Sequence, residues 1–563
     1  MAADEFSPKT EASSPWVEGL TIGQVLREAA GQYPQNDALV YPKLNWRMSY
    51  AELDAKVDGL ARSLLALGIQ KGQHLAVWAT NCPEWVLLQL ASARIGAVLV
   101  TINPAYRSTE LAYVLKQSDT HTLFLIESFR STNYFATLEE VVPELKAAEP
   151  LANKDFPHLK HVVAINGKPS PGMMPWKELL RKGDRIDPVQ LQERETGLQP
   201  TDAINIQYTS GTTGFPKGAT LTHRNLLLNA FYVGDCQKIT SQDRICIPVP
   251  FYHCFGCVLG VLCATVRGAA MVIPAEYFDA EATLEAIQSE RATAIYGVPT
   301  MFIAMLDDQS FSTRNLTSLR TGIMAGSPCP IEIMRRVVDG MGAREITIAY
   351  GLTEASPVIT QTRTDDPLEL RVQTVGRPLP DLEVKLVDPA HGNQLEDGQQ
   401  GELCVRGHAV MLGYYNMPEQ TAQTIDDQGW LHTGDIAVRQ PNGYYRITGR
   451  IKDMICRGGE NIYPREIEEF LYTHPDVQDV AVVGVPDLKL VEAVVAWIRL
   501  QDGATCTADE LRNFCKEKLA HFKVPRHIRL VSEFPQTVTG KIQKYKIREA
   551  MIKELDLEET DTA

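Results

Sequence analysis

No apolar run in this 563-residue chain is long enough to cross a bilayer. The longest, near Gly256–Val266, stops at Arg267, short of the ~20 residues a spanning helix needs. Cysteine is sparse: the 11 residues are odd in number and scattered, as reduced core thiols are rather than a disulfide framework. Cations are in deficit, 55 Lys and Arg against 70 Asp and Glu, for a net charge of −15. That balance argues against non-specific nucleic-acid binding, so no nucleic-acid partner is expected. Met1–Trp16 carries Asp4, Glu5 and Glu11 with one Lys and no apolar core, unlike a secretory signal or an Arg-rich transit peptide. A cytoplasmic location is the expectation. Internal repeats and low-complexity segments are missing as well. His253-Cys254-Phe255-Gly256-Cys257 suggests half of a zinc site, but no second pair stands at finger spacing, and no metal is expected there.

What remains is an ordinary globular composition, 44% hydrophobic and 22% charged, in a chain long enough for more than one domain. Ser49 and Glu52 form a capping box ahead of Leu53, Val57, Leu60, Ala61, Leu64 and Leu65, which recur at helical spacing. Short apolar runs at His74–Ala79, Ala97–Thr101 and Thr122–Ile126 alternate with helical segments. This rhythm predicts an α/β lobe of mostly parallel, helix-covered sheets. The pattern changes near residue 450, where Gly449, Gly458, Gly459 and Pro464 interrupt it. A small α+β unit follows, with a helix from Pro464, strands at Val477–Val483 and Ala493–Ile498, and a second capping box at Thr507 and Glu510. The expected organisation is a large lobe over 1–449, a hinge at 450–453 and a small mobile lobe over 454–563.

The most informative stretch is Thr209-Ser210-Gly211-Thr212-Thr213-Gly214-Phe215-Pro216-Lys217-Gly218. It follows an alternating strand (Ile204, Ile206, Tyr208) and precedes a helix predicted from Arg224. Glycines turn backbone N–H groups inward, hydroxyls add donors and one Lys supplies charge, which together make a phosphate cradle. It is not the P-loop of NTPases, because Lys217 follows Pro216 and precedes Gly218 rather than Ser or Thr.

This decapeptide resembles the signature of the adenylate-forming superfamily, which includes acyl-CoA synthetases, aryl-CoA ligases, beetle luciferases and peptide-synthetase adenylation domains. The resemblance continues in family order through Tyr350-Gly351-Leu352-Thr353-Glu354, Trp430-Leu431-His432-Thr433-Gly434-Asp435, Gly449-Arg450-Ile451-Lys452-Asp453 and Pro535-Gln536-Thr537-Val538-Thr539-Gly540-Lys541. It implies ATP, Mg²⁺ and coenzyme A as cofactor and co-substrates, and a small-molecule carboxylic acid as partner. It implies that Thr209, Ser210, Gly211, Thr212, Thr213, Gly214 and Lys217 cradle the β- and γ-phosphates. Glu354, with Thr209, matches the Mg²⁺ position, and Thr353 an α-phosphate contact. Gly326, Ser327 and Pro328 resemble the adenine loop, and Tyr350 with Gly351 the adenine-stacking wall. Asp435 and Arg450 match the ribose contacts, and Lys541 the lysine that bridges carboxylate and α-phosphate. Lys452 falls at the hinge position. Gly458 and Gly459 match the loop that reaches the pantetheine, and His253 is placed as a gate to the acyl pocket.

The blocks Pro250–Gly256 and Thr539–Lys544 look most like medium-chain acyl-CoA synthetases. An aryl-CoA ligase and a catalytically silent nucleotide-binding relative stay open at this point, as does a homodimer. Nine basic residues against two acidic ones between Lys516 and Arg548 fit coenzyme A phosphates or an ordinary solvated face. One departure from the family stands out. Its members commonly carry Gly-Glu after the block Gly484–Asp487, where this chain has Val491-Glu492.

Overall fold

The computed structural model describes residues 15–147, 151, 153–209, 216–327, 329, 331–457, 460–487, 489–537 and 542–557. Two large sheets form the first lobe. In the nine-stranded sheet the strands Glu345–Gly351, Thr321–Ala325, Ala294–Gly297, Arg244–Cys246, Ala270–Val272 and Asp37–Tyr41 run parallel in that spatial order. Antiparallel strands close both of its edges. The eight-stranded sheet is parallel from Ala203–Thr209 through Val98–Thr101, His74–Trp78, Thr120–Leu125 and His161–Ala164 to Met174–Pro175. Strands such as His74–Trp78 are buried at every position, so they read as continuous apolar runs, as strands covered on both faces must. The mostly parallel, helix-covered expectation holds for these two sheets. A third sheet is wholly antiparallel and has no counterpart in that expectation: Leu382–Val387, Gln400–Gly407, Leu431–Arg439 and Tyr445–Arg450.

The last strand of that sheet leads through a single tight turn, Ile451–Asp453, into the second lobe. There the long hairpin Val477–Asp487 and Val491–Leu500 anchors a five-stranded sheet flanked by helices Pro464–Leu471, Ala508–Lys518 and Lys544–Glu554. Its apolar residues form two buried clusters that begin at Ile455 and include nothing earlier in the chain. Among the described residues no helix is long and apolar enough to cross a membrane.

The departure at Val491 has a structural signature. Its φ is +71°, in the left-handed region where a β-branched side chain is an outlier, and it is 49% exposed, so packing does not compensate. A glycine, the residue common at this place in the family, takes that conformation without strain. Val491→Gly is expected to stabilise the small lobe by ~1 kcal/mol, since relief of left-handed strain exceeds the entropy of the added glycine. A urea-denaturation midpoint that falls instead of rising refutes this.

Candidate active site

The parallel strands of the nine-stranded sheet carry several of the predicted residues at their carboxyl ends. Gly326 and Ser327 follow Thr321–Ala325, while Tyr350 and Gly351 close Glu345–Gly351. Open α/β sheets bind ligands at this edge. Gly351 admits no side chain, because a Cβ there would lie 2.0 Å from the Pro357 carbonyl oxygen. A larger residue would push the backbone out of the site.

Asp435 forms the first contact set. It is 3% exposed and anchored through both oxygens. Arg450 Nε donates to Oδ1 at 2.7 Å, and the Tyr350 hydroxyl donates to Oδ2 at 2.7 Å. Asp435 and Arg450 face each other across adjacent antiparallel strands, which is why two blocks distant from Tyr350 in sequence converge on it. Burial, reinforced by Asp435, holds the Tyr350 phenol well above its usual pKa, so it remains a donor.

Lys217 and Glu354 are joined by a residue the sequence did not single out. Thr209 and Lys217 are partners at the end of an antiparallel hairpin, and the Thr209 hydroxyl donates to the Lys217 carbonyl at 3.4 Å. The Lys217 ammonium lies 4.6 Å from the centre of the Tyr414 ring. The Tyr414 hydroxyl donates to Glu354 Oε1 at 2.7 Å, and Glu354 is 8% exposed. Oε2 of Glu354 makes no hydrogen bond among the described residues. Tyr414 arrives because its strand, Gly413–Tyr414, pairs with Lys217–Thr222. No local motif around it signals this.

The helix expected from Arg224 is present and begins one residue earlier. Lys217–Thr222 is a strand, and the helix His223–Cys236 begins at its far end, ~17 Å away at strand rise.

Thr353 is buried, and its hydroxyl lies 3.8 Å from Cys254 Sγ, which brings the aromatic block beside the Tyr350–Glu354 run. The exposed His253 accepts the Phe255 N–H on Nδ1 at 3.2 Å, just ahead of the wide-turned buried helix Phe255–Leu262. Cys254 and Cys257 are buried; burial pushes the Cys254 thiol up to about 12, and Cys257 takes a hydrogen bond from Gln207. Lys452 is exposed, and desolvation together with the neighbouring Arg450 lowers its ammonium pKa. Ser210, Gly211, Thr212, Thr213, Gly214, Pro328, Gly458, Gly459 and Lys541 lie outside the described residues.

The basic stretch of the small lobe is largely spoken for. Lys523 pairs with Glu466, Arg526 with Asp487, Arg529 with Glu554, Lys544 with Glu468 and Arg548 with Glu492. These contacts favour the ordinary solvated face over a coenzyme A site.

Comparison with known proteins extends the match beyond the motifs. The model of the AMP-binding enzyme family matches residues 26–415, and that of the AMP-binding enzyme C-terminal domain matches residues 466–541. YngI of Bacillus subtilis (strain 168) is 51% identical over 539 residues, covering 95% of this chain and 98% of that protein. The mitochondrial medium-chain acyl-CoA ligase ACSF2 of Bos taurus is 41% identical over 544 residues, covering 95% of this chain and 88% of its own. Among solved structures, the anthranilate CoA ligase AuaEII in complex with anthranoyl-AMP superposes with a TM-score of 0.82 at 27% identity, covering 96% of this chain and 98% of that one.

Proposed function

The chain belongs to the AMP-binding enzyme family, and we propose that the acid it activates with ATP and ligates to coenzyme A is a medium-chain fatty acid. A carboxylate is a poor electrophile at neutral pH. Attack of its oxygen on the α-phosphate forms a mixed anhydride and expels pyrophosphate, after which the coenzyme A thiol displaces AMP from the acyl carbon. The observation that carries the proposal is the run Tyr350–Glu354. It ties the Asp435–Arg450 pair, the Tyr414–Lys217 pair and Thr353 into one site at the strand ends.

In this proposal Asp435 accepts the ribose hydroxyls, Thr353 donates to the α-phosphate and Lys217 offsets the charge of the outer phosphates. A buried carboxylate with one oxygen tied to Tyr414 suits an ion that takes a single protein carboxylate along with phosphate oxygens. Glu354 and Thr209 would hold Mg²⁺, which supplies charge neutralisation for the phosphates. Tyr414→Phe keeps the ring under Lys217 but removes the hydroxyl that orients Glu354. We expect kcat/KM to fall about tenfold and the Mg²⁺ concentration for half-maximal activity to rise, in line with loss of one hydrogen bond to a charged group. An unchanged Mg²⁺ dependence counts against the assignment.

The lobe division at 449 and 454, with rotation at 450–453, belongs to the same proposal and is supported by the separate apolar clusters of the small lobe. So does a cytoplasmic location, supported by eleven cysteines outside any disulfide, of which only Cys456 is exposed.

The choice of acid rests on the likeness to the medium-chain acyl-CoA ligase ACSF2 and on the buried apolar side chains Phe251, Tyr296 and Met301, which belong to one cluster. Each buried methylene contributes ~0.8 kcal/mol. A panel of acetate, octanoate, palmitate, benzoate and anthranilate tests this through kcat/KM. Octanoate is expected to exceed acetate by more than about a hundredfold. Preference for an aromatic acid would make the chain an aryl-CoA ligase. Absence of pyrophosphate exchange with every acid would leave the silent nucleotide binder.

A further inference from the structure

Glu402 is a buried carboxylate, 8% exposed, that the proposed reaction does not use. It stands on Gln400–Gly407, the strand antiparallel to Leu431–Arg439, which carries Asp435. The register between them slips. Glu402 faces Ile436 and Cys404 faces His432, so Leu403 alone opposes Thr433, Gly434 and Asp435. Such bulges re-aim side chains next to active sites. Here the chain turns through Gly434 at φ +69°. Thr433 fixes one side of the bulge, its hydroxyl donating to the Leu403 carbonyl at 2.7 Å and accepting the Asp435 N–H at 3.1 Å.

Glu402 fixes the other side. Its Oε2 lies 2.8 Å from His432 Nδ1, and its Oε1 accepts the Gly434 N–H at 3.0 Å. The carboxylate therefore straddles Thr433 and ties the residues before and after it to one rigid group. Burying a carboxylate is expensive, and among the described residues no Lys or Arg pairs with it. Two converging donors explain the choice. An ionised carboxylate accepts at both oxygens, whereas a glutamine would turn an NH₂ toward one of them. Cys404 Sγ is 3.4 Å from the same Nδ1, and burial, reinforced by Glu402, pushes its thiol up to about 12.

We propose that Glu402 is a positioning residue for nucleotide recognition, its carboxylate setting the bulge that aims Asp435 at the ribose. The proposal rests on the ribose assignment of Asp435 made above. Calorimetric titration of AMP and 2′,3′-dideoxy-AMP into the full chain, with a melting curve for each variant, separates the two. The wild-type protein is expected to prefer AMP by about tenfold or more, the size of a hydrogen bond to a charged group. Glu402→Gln is expected to lose most of that preference: AMP affinity falls about tenfold while dideoxy-AMP affinity stays within about twofold.

Gly434→Ala serves as a second variant should Glu402→Gln fail to fold. A Cβ there meets nothing within 4 Å, so it disturbs only the left-handed turn, and the same loss of preference is expected. Retention of the wild-type preference in a folded variant overturns the positioning role, as does equal weakening of both nucleotides. Lack of preference in the wild-type protein overturns the ribose assignment and this inference with it.

Discussion

Lys541→Ala is expected to lower acyl-adenylate formation by about 10²–10³-fold, the range seen when one donor to a developing anion is removed. Transfer of the acyl group from supplied acyl-adenylate to coenzyme A should stay within about threefold of wild type. The reasoning is electrostatic. Two anions, the carboxylate and the α-phosphate, must meet in the first half-reaction, and a cation is needed at that moment. In the second half-reaction the acyl carbon is already activated and its leaving group is AMP. Lys541 directly precedes Ile542, which bridges Gln536, while Gln543 donates its N–H to the Pro535 carbonyl at 2.8 Å. Alanine at position 541 removes the charge and leaves these flanking contacts their partners. Measuring pyrophosphate exchange and thioester formation on one preparation checks the separation. Equal loss in both half-reactions would defeat the two-state reading of the small lobe.

Features whose parts lie within a few residues of each other are legible in the amino-acid sequence. Glu52 and Ser49 cap the helix Tyr50–Ala66 reciprocally, and Thr507 with Glu510 does the same for Ala508–Lys518, because both halves of each box lie three residues apart. The strands at His74–Trp78, Val98–Thr101 and Thr120–Leu125 stand out because their burial on both faces gathers apolar residues such as Leu75–Trp78 and Leu123–Leu125 without alternation. The motif blocks carry Asp435, Arg450, Tyr350 and Glu354 by family resemblance; the structure puts Arg450 and Tyr350 on Asp435, and ties Glu354 to Tyr414.

What connects those residues is not legible in the same way. Tyr414 meets Glu354 across 60 positions and Gly434 meets Glu402 across 32. Each contact depends on strand pairing that has no local period. The antiparallel sheet of residues 382–450 leaves no clear sequence signal for the same reason. Nor does the strand Lys217–Thr222, whose glycine and two threonines weaken its alternation. Val491 is the converse case: the sequence flags a departure, but only its positive φ says what the departure does.

The turn Ile451–Asp453 is the one short element between the third sheet and the small lobe, and it is where a backbone lock should act most strongly. Lys452 is its second residue. The turn is closed by the Met454 N–H to the Ile451 carbonyl at 3.3 Å, a bond that does not involve the Lys452 amide. Proline at 452 therefore removes no donor from this bond, but it fixes φ near −65° and disfavours the helical conformation that Ile451 takes in the turn. If the small lobe rotates here between half-reactions, φ and ψ of a few residues must change while the flanking structure stays rigid. Lys452→Pro should then leave one state accessible. The adenylating state is the expected survivor, because the family resemblance places Lys541 in the site before coenzyme A binds. Pyrophosphate exchange is expected to persist within about tenfold, or ~1.4 kcal/mol, while thioester formation falls at least a further hundredfold. Lys452→Ala is the necessary companion. Arg450, Asp453, Asp435 and Glu354 all act on the ammonium, so deleting the side chain alone reports its electrostatic share with the backbone still free. A proline variant that matches the alanine variant in both half-reactions would move the pivot away from residue 452. Loss of adenylation with thioester formation intact would reverse which state proline traps.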